Sequence, residues 1–131
     1  MEARELCRRS LLLALSLLGE NHPFVACVRR RLADAMLGDS SLSPVALRDA
    51  RSLIDAALPV LAREAALPQA RPASAVEVSA ALVSRLMLLQ RTGEAGDAAA
   101  AARESVSALP PSFRKDALLA RLRVLLPGES L

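Results

Sequence analysis

Residues 11–36 read LLLALSLLGENHPFVACVRRRLADAM, in which an apolar helical segment is followed by a Gly-Glu-Asn-His-Pro corner and a second helical segment. Gly19 predicts the end of the first helix, because glycine adopts a left-handed backbone without steric cost. Pro23 predicts the start of the next, because the N–H that proline lacks would be unpaired at a first helical position. The stretch therefore predicts a pair of helices joined by a tight corner.

Similar corners recur along the chain. The segment Leu67-Pro-Gln-Ala-Arg-Pro72 matches the length of the first corner, and Ser43, Asp97 and Ser112 are candidate N-caps. Pro59 lies inside the third predicted helix and predicts a kink or a division into two shorter helices, because it removes one hydrogen bond. The pattern predicts helices over residues 3–18, 23–37, 44–67, 72–91, 98–109 and 113–126.

The composition favours helices over strands. Apolar residues make up 53% of the 131 positions and aromatic residues only 2%, with no tryptophan or tyrosine. Strands are enriched in β-branched and aromatic residues, whereas leucine and alanine suit close helix–helix packing. We expect one domain or a short array with its own core.

The corners also suggest a repeat, because Pro23 and Pro72 lie about 49 residues apart and a third corner follows about 40 residues later. Residues 88–110, LLQRTGEAGDAAAAARESVSALP, resemble the turn and second helix of a tetratricopeptide repeat through Gly93, Ala98 and Pro110. Residues 18–23, LGENHP, followed by Leu32-Ala33, are similar to the long repeats of kinesin light chains. The same corner occurs in C-terminal helical domains of some SET-domain methyltransferases.

This resemblance implies an all-α fold in which antiparallel helix pairs stack as a short α-solenoid, and an irregular helical bundle is the alternative. Residues 1–126 would form one helical-repeat domain, and residues 127–131 a frayed tail. The first helix would be the second member of a pair, and the last helix the first member of another. We therefore expect the ends to stack on a longer array, on a partner or on a copy of the chain.

The charge of the chain argues against nucleic-acid binding, and its cysteine content indicates a cellular location. The formal net charge is +3, which is small for a dedicated nucleic-acid binder, and no nucleic-acid-binding module is recognisable. Cys7 and Cys27 are expected to be two buried thiols rather than a bridge or a reactive site. Free thiols favour a reducing, cytoplasmic location.

The N-terminal residues share some features of a targeting segment. Arg8-Arg9-Ser10-Leu11-Leu12 resembles the start of a twin-arginine export signal, but Glu2 and Glu5 occupy a region that should be positive. No small-x-small cleavage site follows, and the apolar run is shorter than a membrane span. A packed helix is the preferred interpretation, with no membrane partner.

No pattern typical of an active site appears. His22 is the only histidine, and we expect it to order the corner by hydrogen bonding. Gly-rich phosphate loops, metal-ligand spacings and nucleophile elbows are absent from the sequence, which predicts no catalytic, cofactor or metal site. Four scattered acidic residues need no role beyond solubility: Asp55, Glu64, Glu77 and Glu104.

The tetratricopeptide resemblance implies a concave groove lined by the first helix of each pair. Arg30 would recognise a carboxylate or an acidic peptide there by paired hydrogen bonds. Cys27 would lie in the same groove. The predicted peptide-binding residues are Arg30, Asp34, Leu37, Val83, Met87 and Gln90.

We therefore hypothesise a non-enzymatic protein–protein interaction module that binds a peptide or helix of a partner. One alternative is a structural segment that assembles with a longer repeat protein or with a copy of itself. Another is a helical regulatory domain of a SET-type methyltransferase.

Overall fold

The computed structural model describes residues 3–129, and helices form most of that range. No strand occurs within it, which confirms the all-α prediction. Residues 1–2 and 130–131, at the ends of the predicted domain and tail, lie outside the described residues. The helices are α1 (Ala3–Leu18), α2 (Pro23–Leu37), α3 (Pro44–Ala65), α4 (Pro72–Arg91), α5 (Ala98–Ser107) and α6 (Phe113–Leu125).

The corners form as their local chemistry predicts. Gly19 has a φ of 84° and ends α1. His22 caps α2, because its Nδ1 accepts a hydrogen bond from the Phe24 N–H at 3.1 Å. The Ser43 and Ser112 hydroxyls accept from backbone N–H groups at 3.1 and 3.0 Å and cap α3 and α6. Each cap satisfies a donor that the first helical turn leaves unpaired.

The structure excludes one of the two alternatives at Pro59 and corrects the prediction for Asp97. α3 runs continuously through Pro59, so it is not divided into two shorter helices. Asp97 occupies the N-cap of α5, but its side chain makes no capping hydrogen bond. Its ψ of 1° is the reason, because an N-cap side chain reaches the first turn from an extended backbone.

The helices pack mainly with their neighbours in the chain. Every consecutive pair from α1 to α6 is in contact, and α4 also packs against both α2 and α6. Within residues 3–129, α2 is the only helix whose backbone comes close to α1, and no close backbone contact joins α1 or α2 to α5 or α6.

α4 is the central helix. Its buried residues lie on nearly every side: Val76, Glu77, Ser79, Ala80, Ala81, Val83, Ser84, Leu86, Leu88 and Leu89. One side packs with α5 and α6 around Val106 and Leu122. The other packs with α2 and α3, where Ala57 and Ala81 are fully buried. Such small residues let the helix backbones approach closely.

The buried face of α1 differs from the prediction. Helical periodicity in the sequence predicts a buried face made of Leu6, Ser10, Leu13, Ala14 and Leu17. Ala14 is buried, but Leu6, Leu13 and Leu17 are 56% to 72% exposed. Cys7 and Leu11 pack against the α2–α3 core instead. The helix is thus turned by about 100°, one residue position, from the predicted orientation. Because leucine occurs on almost every side of α1, the sequence pattern alone does not define its buried face. The contact with α2 determines which side is buried.

By length and composition, α4 together with Thr92 is long and apolar enough to cross a membrane. In its 18-residue apolar window, 56% is buried among the other helices. Core helices of water-soluble proteins meet the same criterion, so composition alone assigns no membrane to this chain.

Replacing Leu32 by Ala should lower the free energy of unfolding by about 2–5 kcal/mol, because the lost side chain leaves a cavity in the core. Urea denaturation measures the change.

Leu12 provides the matched control, because it is 70% exposed. Leu12→Ala should change the free energy of unfolding by less than about 0.5 kcal/mol. Equal losses in the two variants would show that the packing at Leu32 is described wrongly.

Candidate functional site

A cluster of charged side chains lies between α2, α4 and α6. Arg30 of α2 is only 7% exposed, and its Nε donates to Glu77 of α4 at 3.0 Å. Its Nη1 donates to Asp34, one turn further along α2, at 2.8 Å. Two carboxylates thus surround one buried cation, which is how proteins accommodate a buried charge.

Two arginines of α6 extend this cluster. The Arg114 Nη2 donates to the second carboxylate oxygen of Glu77 at 2.8 Å. The Arg121 Nη2 lies 3.6 Å from the Asp34 carboxylate, to which the Ser84 hydroxyl also donates. We call Arg30, Asp34, Glu77, Arg114 and Arg121 the arginine–carboxylate cluster. It links α2 to α6, whose backbones do not pack together.

The arginine–carboxylate cluster determines the protonation states of Glu77 and of the nearby Cys27. Burial alone would raise the pKa of Glu77, but hydrogen bonds and positive charge from Arg114 and Arg30 outweigh it, so the pKa is lowered. Burial, with the nearby Glu77 carboxylate, raises the pKa of the Cys27 thiol. Glu77 is therefore ionised near neutral pH, and Cys27 is a neutral, half-buried side chain.

A cavity of about 510 Å³ opens between α2 and α4 beside the cluster, and we call it the α2–α4 cavity. Phe24, Cys27 and Leu61 give it an apolar floor. Arg31, Arg71 and Arg114 lie at its rim. Its volume is within the range of small-ligand and side-chain pockets.

A smaller cavity of about 210 Å³ lies between α4 and α6. Arg30, Arg114 and Arg121 line it together with Val76 and the exposed Phe113. Arg114 thus borders both cavities, and its ion pair with Glu77 lies between them.

The structure separates the residues that the sequence predicts for a peptide groove. Leu37 and Val83 belong to the core, with exposures of 1% and 0%. Asp34 and Met87 are half-buried. Gln90 is exposed, and its Nε2 donates to the Leu125 carbonyl at the end of α6 at 2.9 Å.

Arg30 also differs from its predicted state. The sequence suggests a cation free for a ligand, whereas the structure pairs Arg30 with two carboxylates of the chain itself. Its neighbour Arg31 is exposed and lies at the cavity rim. The resemblance gave no information on what neutralises Arg30.

Glu77 is the main residue that sequence reasoning missed. It was counted among the acids that serve solubility, yet its side chain is buried. A signal was present, because Glu77 interrupts the otherwise apolar or small-residue stretch 75–84 on α4. A carboxylate at such a position requires a buried partner.

Several further predictions concern single residues. His22 orders the corner through its cap hydrogen bond, as expected. Cys7 and Cys27 are free and half-buried rather than fully buried. Between residues 3 and 129, no three His, Cys, Asp or Glu side chains come together as a metal site would require.

No protein-family model matches the chain, and comparison with curated proteins and with solved structures gives no match either. The resemblance to tetratricopeptide repeats therefore rests on the corner residues and the helix pattern alone.

Glu77→Gln should lower the free energy of unfolding by about 3 kcal/mol at pH 7, because it leaves the buried Arg30 charge underpaired. The lowered pKa of Glu77 means that its stabilising effect is present above the unfolded value of about 4.3. It is lost as the pH falls through the lower folded value. The gap between wild type and variant should therefore narrow towards pH 3 in urea denaturation.

Glu94→Gln is the control, because Glu94 and its partner Arg51 are both about half exposed. This change should leave the free energy of unfolding nearly unchanged at pH 7, because solvent screens the exposed pair. A Glu77 effect no larger than that of Glu94 would contradict the buried pairing.

Proposed function

We propose that this chain is a non-enzymatic protein–protein interaction module whose helix pairs stack as a short solenoid. The face formed by α2, α4 and α6 would bind a segment of a partner protein. In the terms of the tetratricopeptide resemblance, these are the first helices of successive pairs, with α3 and α5 behind them.

The packing order is the observation that supports this proposal most. Close backbone contacts run from each helix to the next and join α4 to both α2 and α6, whereas within the described residues none joins α1 or α2 to α5 or α6. Side chains of the arginine–carboxylate cluster connect α2 with α6. A closed bundle would bring sequence-distant helices together. An open row instead leaves one side of α2, α4 and α6 available to a ligand.

The shape of that side also supports binding. Two adjacent cavities lie along it, divided by the Arg114–Glu77 pair. Each combines apolar walls with arginine side chains, the mixture that anchors peptides by buried side chains and orients them by charge.

A random peptide library displayed on phage should yield peptides that bind the immobilised chain through this face. Selected peptides carrying a benzophenone should photocross-link to α2, α4 and α6, as mapped by mass spectrometry. Crosslinks concentrated on α5 and on parts of α3 away from Leu61 and Glu64, which line the larger cavity, would refute the proposal. No enrichment over an unrelated helical protein would refute it as well.

Two arginines of α6 provide a matched pair of variants. Arg121 lines the smaller cavity, whereas Arg123 is exposed away from both cavities. Arg121→Ala should weaken the selected peptides about fivefold, roughly 1 kcal/mol, and Arg123→Ala should leave their affinity unchanged.

A second candidate function is self-assembly through α1, and one observation favours it. Leu6, Leu13 and Leu17 share one side of α1 and are largely exposed. Exposed apolar patches of this kind mark association sites more often than free surface. A second copy could cover the stripe by antiparallel pairing of the two α1 helices around a twofold axis.

Sedimentation velocity over rising protein concentration tests this assembly. Wild type should form a dimer at tens of micromolar, and Leu13→Glu should remain monomeric, because a charge would enter the contact. Leu12→Glu, on another side of α1, should dimerise like wild type. A wild-type chain that stays monomeric at every concentration would exclude the α1 contact.

A further inference from the structure

We infer that the α2–α4 cavity binds an acidic peptide segment of a partner. One apolar side chain of the peptide would enter the cavity, and the peptide's carboxylates on either side of it would contact the rim. The inference rests on the proposed function and adds the chemistry of the partner. The peptide's carboxylates would contact Arg31, Arg71 and Arg114 rather than Arg30.

Uncompensated positive charge at the rim is the first argument. Within residues 3–129, Arg31 and Arg71 take part in no ion pair, and both are exposed. Arg114 pairs with Glu77, yet its side chain is 46% exposed. Glu77 is already shared between Arg114 and Arg30, so Glu64 is the one further carboxylate in the lining. The rim therefore attracts anions.

Helix geometry adds to this charge. α2 begins at Pro23 and α4 begins at Pro72, and both first turns contribute to the cavity lining, through Phe24 and through Ala73 and Ser74. Helix N-termini carry partial positive charge and favour carboxylates nearby. The partial positive charges of two helix N-termini thus add to the charges of three arginines at the opening of one cavity.

The floor distinguishes a peptide from a simple anion. Phe24, Cys27 and Leu61 offer an apolar surface below the arginines, and Phe24 is half exposed. An apolar side chain placed there would remove this surface from water. Nucleic acid also carries negative charge, but single strands bind on rows of aromatic side chains, and Phe24 is the only one at this cavity.

Fluorescence anisotropy with synthetic peptides tests the site. The probe is a fluorescein-labelled twelve-residue peptide with Leu at its centre, two Glu on each side, and Gly and Ser elsewhere. We expect saturable binding to the whole chain that weakens with added salt, because the charged contacts are exposed. Replacing the central Leu by Gly, or the four Glu by Gln, should each weaken binding about tenfold.

Two matched double variants distinguish binding at the α2–α4 cavity from nonspecific electrostatic attraction between the peptide and the protein. Arg31→Glu/Arg71→Glu reverses two of the three rim charges, and Arg48→Glu/Arg123→Glu makes the same change in net charge at exposed positions away from the cavity. The first should weaken the Leu peptide by about tenfold or more, and the second by less than about threefold. Thermal melts show whether both variants remain folded.

Three results would overturn the inference. Equal weakening by the two double variants would mean long-range attraction without a site. Equal affinity for the Leu and Gly peptides would mean that the floor is unused. Tighter binding of a single-stranded oligonucleotide of equal charge, abolished by Arg31→Glu/Arg71→Glu, would assign the rim to nucleic acid. In the first two cases, library-selected peptides that still crosslink to α2, α4 and α6 would leave the proposed function standing.

Discussion

The burial of α4 is the constraint that arranges the other helices. Its residues are apolar or small on nearly every side, so it must be covered on both flanks. The burial also encloses three polar side chains, each of which needs a partner. Ser79 pairs with Ser105 of α5 at 2.7 Å, Ser84 with Asp34 of α2, and Glu77 with two arginines. Because these partners come from three helices, satisfying the polar groups of α4 also aligns α2, α5 and α6 against it.

The helix boundaries were predictable because they depend on local chemistry. Pro23, Pro44 and Pro72 each open a helix, and Gly19 ends one with a left-handed backbone. Such effects act within a few residues, so a sequence pattern contains them completely. Pro59 shows the limit of this approach, because the local rule allows either a kink or a break, and α3 continues through this position.

The faces of the helices were harder to predict, because they depend on partners that are distant in sequence. α1 offers leucine on several sides, and Phe113 of α6 remains 87% exposed although it is a large apolar residue. For Arg30 the missing information was Glu77, 47 residues away, which turns a surface cation into a buried one. Periodicity predicts which residues share a face, but the neighbours decide whether that face is inside.

Arg71 connects the stability of the fold with the proposed binding site. His22, Ser43 and Ser112 cap their helices with side-chain hydrogen bonds, but Arg71 at the N-cap of α4 makes none. Its positive charge also opposes the partial positive charge of the helix end. Serine or aspartate there would stabilise the helix by about 1 kcal/mol. Departures from local stability rules concentrate at functional sites. At the proposed binding site an incoming carboxylate would relieve this departure, because its negative charge would offset the positive charges of Arg71 and of the adjoining helix end.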